Sequence, residues 1–110
     1  LQHLDRREIV PTVKVEKSCG LSREEAYKRV KQLLETDKDL KKMDPSCQFN
    51  FNDTAATGSA KGSMFSADMK VGTSGGSSLV TIEVQLPIML SMAKGMVQST
   101  LEKKLQAALG

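Results

Sequence analysis

The chain has no tryptophan, a single tyrosine, a single histidine and two cysteines, and each scarcity removes a class of chemistry. His3 lies in a charged N-terminal stretch, so neither a histidine-based catalytic triad nor a histidine metal site has its parts. Cys19 and Cys47 supply no zinc set and no disulfide framework. Each adjoins an expected strand, so the two could meet, but free thiols in a reducing cytosol are the expectation. No apolar run approaches the roughly 20 residues that cross a bilayer. Residues 1–10 are charged throughout and lack the apolar middle of a signal peptide. The expected location is therefore cytoplasmic, without a transmembrane segment.

Aromatic scarcity also bears on nucleic acid. The net charge of +3, from 16 basic and 13 acidic residues, is mild and mixed in sign. Lys28, Arg29 and Lys31, with Lys38, Lys41 and Lys42, have no aromatic residues interleaved to stack bases, so they are expected on solvated faces with no nucleic-acid partner. The run Gly72-Thr73-Ser74-Gly75-Gly76 lacks the Lys-Ser/Thr ending of a phosphate loop and joins strand to strand. No cofactor is expected.

What is present organises itself around the last quarter of the chain. Val80, Ile82, Val84 and Leu86 alternate with Thr81, Glu83 and Gln85, the period of a strand with one buried face. Pro87 ends it and suits a first helical turn. Met89, Met92, Ala93, Met96, Val97, Leu101, Leu105 and Ala108 then recur at helical steps, and Val97, Leu101 and Leu105 are expected to face Val80, Ile82 and Val84. Gly95, costly inside a helix, suggests a close approach there.

Upstream, residues 1–8 read as a flexible arm, and residues 9–110 as one domain. A first strand covers about 9–17. Ser22 with Glu25 forms a capping box, which starts a helix with the stripe Ala26, Val30, Leu33 and Leu34, ended by Asp44 and Pro45. A short strand carries Cys47, Phe49 and Phe51 on one face, and a turn follows over 53–58. One long strand over 59–71 comes next, with Phe65, Ala67, Met69 and Val71 on one face and Gly62 as a candidate bulge. The loop 72–78 reads as a wide, flexible hairpin. The order is β-α-β-β-β-α, an α+β two-layer domain whose antiparallel sheet carries a long C-terminal helix across it.

This order, with Gly62 in the long strand and the run Leu86-Pro87-Ile88-Met89-Leu90-Ser91-Met92-Ala93-Lys94-Gly95 before the amphipathic Leu101-Glu102-Lys103-Lys104-Leu105, resembles the polyhydroxyalkanoic acid system family. The resemblance spans about 13–109. It implies a reduced helix-grip fold of the START-related type, an association with bacterial polyester storage granules, and a lysine at position 94.

The methionines allow two readings. They fill core, or they line a cleft for an acyl chain or face lipid or polyester, where flexible thioethers adapt to irregular apolar surfaces. On the second reading the binding residues are Met64, Phe65, Met69, Met89, Met92, Lys94 and Met96. The expected function is then a non-enzymatic accessory or binding protein for an apolar ligand or a granule or lipid surface. The alternative is a protein-interaction module that self-associates through an exposed strand or apolar helix. An enzyme would require a carboxylate such as Asp68 or Glu83 facing a cavity with a raised pKa.

Overall fold

In the computed structural model, residues 12–38, 42, 45–63, 65–87 and 92–110 are described. The expected arm at 1–8, the start of the first strand, Met64 and Met89 lie outside them. The elements are β1 (Thr12–Cys19), α1 (Arg23–Thr36), β2 (Gln48–Asn52), β3 (Thr57–Lys61), β4 (Ser66–Ser74), β5 (Ser77–Gln85) and α2 (Lys94–Leu109). The strands form one antiparallel sheet in the order β1-β5-β4-β3-β2, so the first strand pairs with the last. Both described helices pack on one face, as the α+β two-layer reading expects.

Strand alternation builds that inner face. Val13 and Val15 of β1 oppose Val84 and Ile82 of β5, which oppose Ala67 and Met69 of β4. Ala60 and Gly58 of β3 continue the rows to Phe49 and Phe51 of β2. The alternate residues, among them Lys14, Glu83, Asp68 and Asn50, form a polar outer face. Tyr27 and Val30 of α1 and Leu101, Leu105 and Leu109 of α2 join the valines of the sheet in one core, with Val97 partly buried against it.

Three local expectations change. The stretch read as one long strand is two, because the Gly62 N–H turns back to the Phe65 carbonyl at 2.9 Å and the chain reverses into β4. Loop 72–78 is a two-residue hairpin. Gly75 and Gly76, with φ of 56° and 88°, supply the paired positive φ of a type I′ turn, so strand pairing runs from Ser66 as far as Ser74 and resumes at Ser77. Gly95 is open, with nothing within 4 Å of an added Cβ. The close approach is instead at Gly58, where a Cβ would lie 2.7 Å from the Phe51 ring.

Ser22 caps α1 as expected, its hydroxyl accepting from the Glu25 N–H at 3.2 Å. From the first turn of α1, Arg23 donates to the carbonyls of Ala55 at 2.8 Å, Thr54 at 3.5 Å and Val71 at 3.2 Å, holding the β2–β3 turn against β4. Tyr27 donates its hydroxyl to Asp53 at 2.6 Å, and Lys31 reaches the same carboxylate at 3.3 Å. These bonds hold Asp53 below the ordinary carboxylate range. Cys19 is a free, half-buried thiol, and Cys47 is half-buried beside β2.

Two outcomes test this packing. Leu105→Ala, at a site only 1% exposed, should lose about 2–5 kcal/mol on chemical denaturation. A loss under about half a kcal/mol would show that α2 does not seat as described. Burial, with Asp53 as hydrogen-bond acceptor and neighbouring charge, pushes the Tyr27 phenol from 10.0 up to about 12. A raised folded-state value stabilises the protein fully below the unfolded value, and the contribution is lost as pH climbs between the two. Ultraviolet titration of this sole tyrosine should therefore show ionisation well above pH 10, with stability falling over the same window. Ionisation at 10 in the folded protein would contradict the bond to Asp53.

Candidate functional site

α2 is anchored by its C-terminal half. Leu101, Leu105 and Leu109, at four-residue spacing, are the helix positions buried in the core. Lys17 of β1 donates to Gln106 at 2.6 Å, and Arg29 of α1 donates to the Ala108 carbonyl at 3.3 Å. Nothing comparable anchors the described residues of the N-terminal half. Between that half and the sheet lies a cavity of about 420 Å³. Phe49, Ala67, Ile82 and Val84 form its sheet wall, Phe65 and Leu86 extend it, and Met96, Val97 and Leu101 close it from the helix.

Its border includes an ion pair. Asp37, which caps the C-terminus of α1, is contacted through both carboxylate oxygens by Lys104 of α2, at 3.3 and 3.2 Å. The Asp37 side chain is 6% exposed and that of Lys104 25%. Ser59 and Asp68 also border the cavity, but strand alternation turns their side chains outward and Asp68 is exposed.

Of the residues expected at a binding site, the structure brings Phe65 and Met96 to this cavity. Phe65 is buried, and Met96, 69% exposed, stands at its mouth. Met69 packs in the core on the inner face of β4. Met92 is 98% exposed and Lys94 is exposed at the start of α2, both off the cavity wall. Sequence reasoning placed Phe49, Ile82, Val84, Val97 and Leu101 in the core without seeing that they enclose a space. It had no signal for the ion pair, whose partners are separated by 67 positions.

The outer face carries a second hollow, an open groove of about 740 Å³ bordered by Lys14, Glu16, Asp68, Lys70 and Glu83. Its mixed charges and strand hydroxyls give a solvated surface. Asp68 and Glu83, the two carboxylates given as examples for an enzyme reading, lie opposite one another there. Among the described residues no three His, Cys, Asp or Glu side chains gather to hold a metal, and no helix is long and apolar enough to cross a membrane.

Among curated proteins none matches the chain significantly. Solved structures share the fold. XoxI from Bacillus cereus aligns with a TM-score of 0.60 and 15% identity over 89% of this chain and 92% of that one. TTHA0849 from Thermus thermophilus aligns with a TM-score of 0.57 and 15% identity over 90% and 94%. Ara h 8.0201 aligns with a TM-score of 0.56 and 14% identity over 92% and 96%. The architecture is thus that of helix-grip, Bet v 1-like proteins, a five-stranded antiparallel sheet against a long C-terminal helix. The family model described as "Putative polyhydroxyalkanoic acid system protein" matches residues 13–109. Matched over all but its two ends, the chain belongs to the polyhydroxyalkanoic acid system family.

Proposed function

We propose that the protein is a non-enzymatic, cytoplasmic accessory or binding protein that holds an apolar ligand between its sheet and α2. The cavity carries this reading. Its volume of about 420 Å³ falls in the range of about 300–1,000 Å³ that small-molecule sites occupy. Its walls are aliphatic and aromatic, with charge confined to the rim. Among the described residues the polar anchors of α2 lie in its C-terminal half, which leaves its N-terminal half room to shift outward as a chain enters, and Met96 at the mouth can repack against chains of different shape. Membership of the family supports a hydroxyalkanoate or polyester setting.

Exposure of Met92 and Met96 favours a second mode at the same end of the molecule, in which these side chains rest on a lipid or polyester surface while the cavity takes up a chain from it. Both modes use the apolar effect and differ in where the apolar phase lies.

Affinity for saturated alcohols, read by calorimetry, should rise about fourfold per added methylene until the cavity is full, from a gain of about 0.8 kcal/mol per methylene buried. Ala67→Leu, which fills the cavity from the β4 wall, should weaken binding of the longer chains while the protein stays folded. Met92→Gln should leave the melting temperature unchanged and reduce partition onto polyester particles. Absence of any chain-length trend would reject the ligand reading and leave self-association through the edge strands β1 and β2 as the function to pursue.

A further inference from the structure

We propose that two copies of this chain pair through β2, antiparallel and centred on Asn50, so that two five-stranded sheets become one. The two outer strands of the sheet are unlike. β1 carries Lys14, Glu16 and Lys17, charges of the kind that keep an edge from pairing, and Lys17 is bonded to Gln106 of α2. β2 is Gln48-Phe49-Asn50-Phe51-Asn52, with no charge and no proline. Among the described residues no strand pairs with its outer side, where an edge presents a row of backbone N–H and C=O groups to be matched. The chain also enters β2 in line with the ladder, because the Ser46 hydroxyl accepts from the Ser63 N–H at 3.2 Å, just beyond the Gln48–Lys61 pair.

The occupant is a second copy because the strand is its own complement. In an antiparallel pair about Asn50, Gln48 meets Asn52, Phe49 meets Phe51 and Asn50 meets itself. Opposed residues share a face, so amides meet amides on the outer face, and an amide both donates and accepts. Asn52 uses its oxygen to accept from the Ala55 N–H at 3.1 Å, which leaves its NH₂ group for Gln48 of the second copy. On the inner face Phe49 and Phe51 stack with ring centroids 5.9 Å apart, yet both are half-buried, so surface remains for the two rings of the second copy to cover. A register moved by one residue would set phenylalanine against amide and lose both matches. The contact closes at two copies, since each presents this strand once. Phe49 is also a wall residue of the cavity, so Phe51 of the second copy comes to lie beside that wall and extends it. The pairing stands apart from the ligand reading, and no ligand enters its test.

Sedimentation velocity of the full chain, taken up to roughly 100 μM so that weak association is populated, should show a dimer whose share grows with concentration. Asn50→Lys, at an exposed position, sets two lysines face to face across the axis and should weaken the dimer by about tenfold or more. Asn50→Glu should do the same. Mixed in equal amounts, the two variants should form a heterodimer about tenfold or more tighter than either forms with itself, a rescue that requires position 50 to oppose its own copy. Thermal melts followed by circular dichroism identify which variants fold. A second design carries Gln48→Lys and Asn52→Asp in one chain, which keeps the oxygen that accepts from Ala55 and sets opposite charges across the axis twice, so it should tighten the dimer. A wild type that stays monomeric, folded Asn50 variants that do not prefer one another, or a folded double variant with no gain would each overturn the proposal. A dimer untouched by Asn50→Lys would overturn it too, and would move the contact to another surface, such as the one bearing the exposed Met92 and Met96.

Discussion

A single helix is too narrow for the sheet that it covers. An α-helix with its side chains is about 10 Å across, whereas five strands spaced at about 4.8 Å span roughly 19 Å. The inner face is apolar from Val13 on β1 to Phe49 and Phe51 on β2, so the uncovered part must be met by something else. α1 takes one portion through Ala26, Tyr27 and Val30. The three leucines of α2 take another, and with Lys17 and Arg29 they hold the helix at one end. The cavity is the remainder. Its existence follows from widths and anchoring, and needs no dedicated cavity-forming motif.

The elements around that space are tied by polar contacts of high sequence separation. Arg23 stitches the β2–β3 turn to β4 through three carbonyls, and Tyr27 and Lys31 converge on Asp53 of the same turn. Ala56 in that turn sits at a φ of 55°, a conformation costing about 1–2 kcal/mol for a residue with a Cβ. Its carbonyl accepts from Val71, and its side chain is buried, so the surrounding contacts offset the strain. Beyond it, Phe51 lies over Gly58, stacks on Phe49 with centroids 5.9 Å apart, and has the Lys31 ammonium 5.3 Å from its ring centre. The sheet wall of the cavity thus stands on a braced strand pair, while the described polar contacts of the helical wall gather in the C-terminal half of α2.

Most of the architecture was legible because it rests on short-range pattern. Alternation from Val80 to Leu86, the Ser22 cap and the leucines of α2 each state their structure within a few residues. The split of the long strand was not legible, since Gly62 fits a bulge and a reversal equally well. Loop 72–78 misled through composition: glycine and serine suggest mobility, yet adjacent glycines at the reversal are what a tight right-twisted hairpin requires. The methionines stayed undecided for another reason. Hydrophobicity says what a side chain gains by burial but not whether a partner surface is there: Met69 is buried, whereas Met92 and Met96 stand exposed. Asp37 and Lys104 carry no local signal of their contact, which exists only where the two helices meet.

The pairing of first strand with last also governs how the domain comes into being. β5 lies between β1 and β4, so β1 has no edge to join until residues 77–85 exist. Emerging from a ribosome, the chain carries Val13 and Val15 without their β5 partners until that strand is made, while the β2–β3–β4 meander and α1 can assemble earlier. Closure is then a late, non-local event of the kind that slows folding and leaves a strand edge open to other chains in the meantime. Lys14 and Glu16, which alternate with those valines, and Lys17 after them set strongly hydrated charges along that edge while it waits.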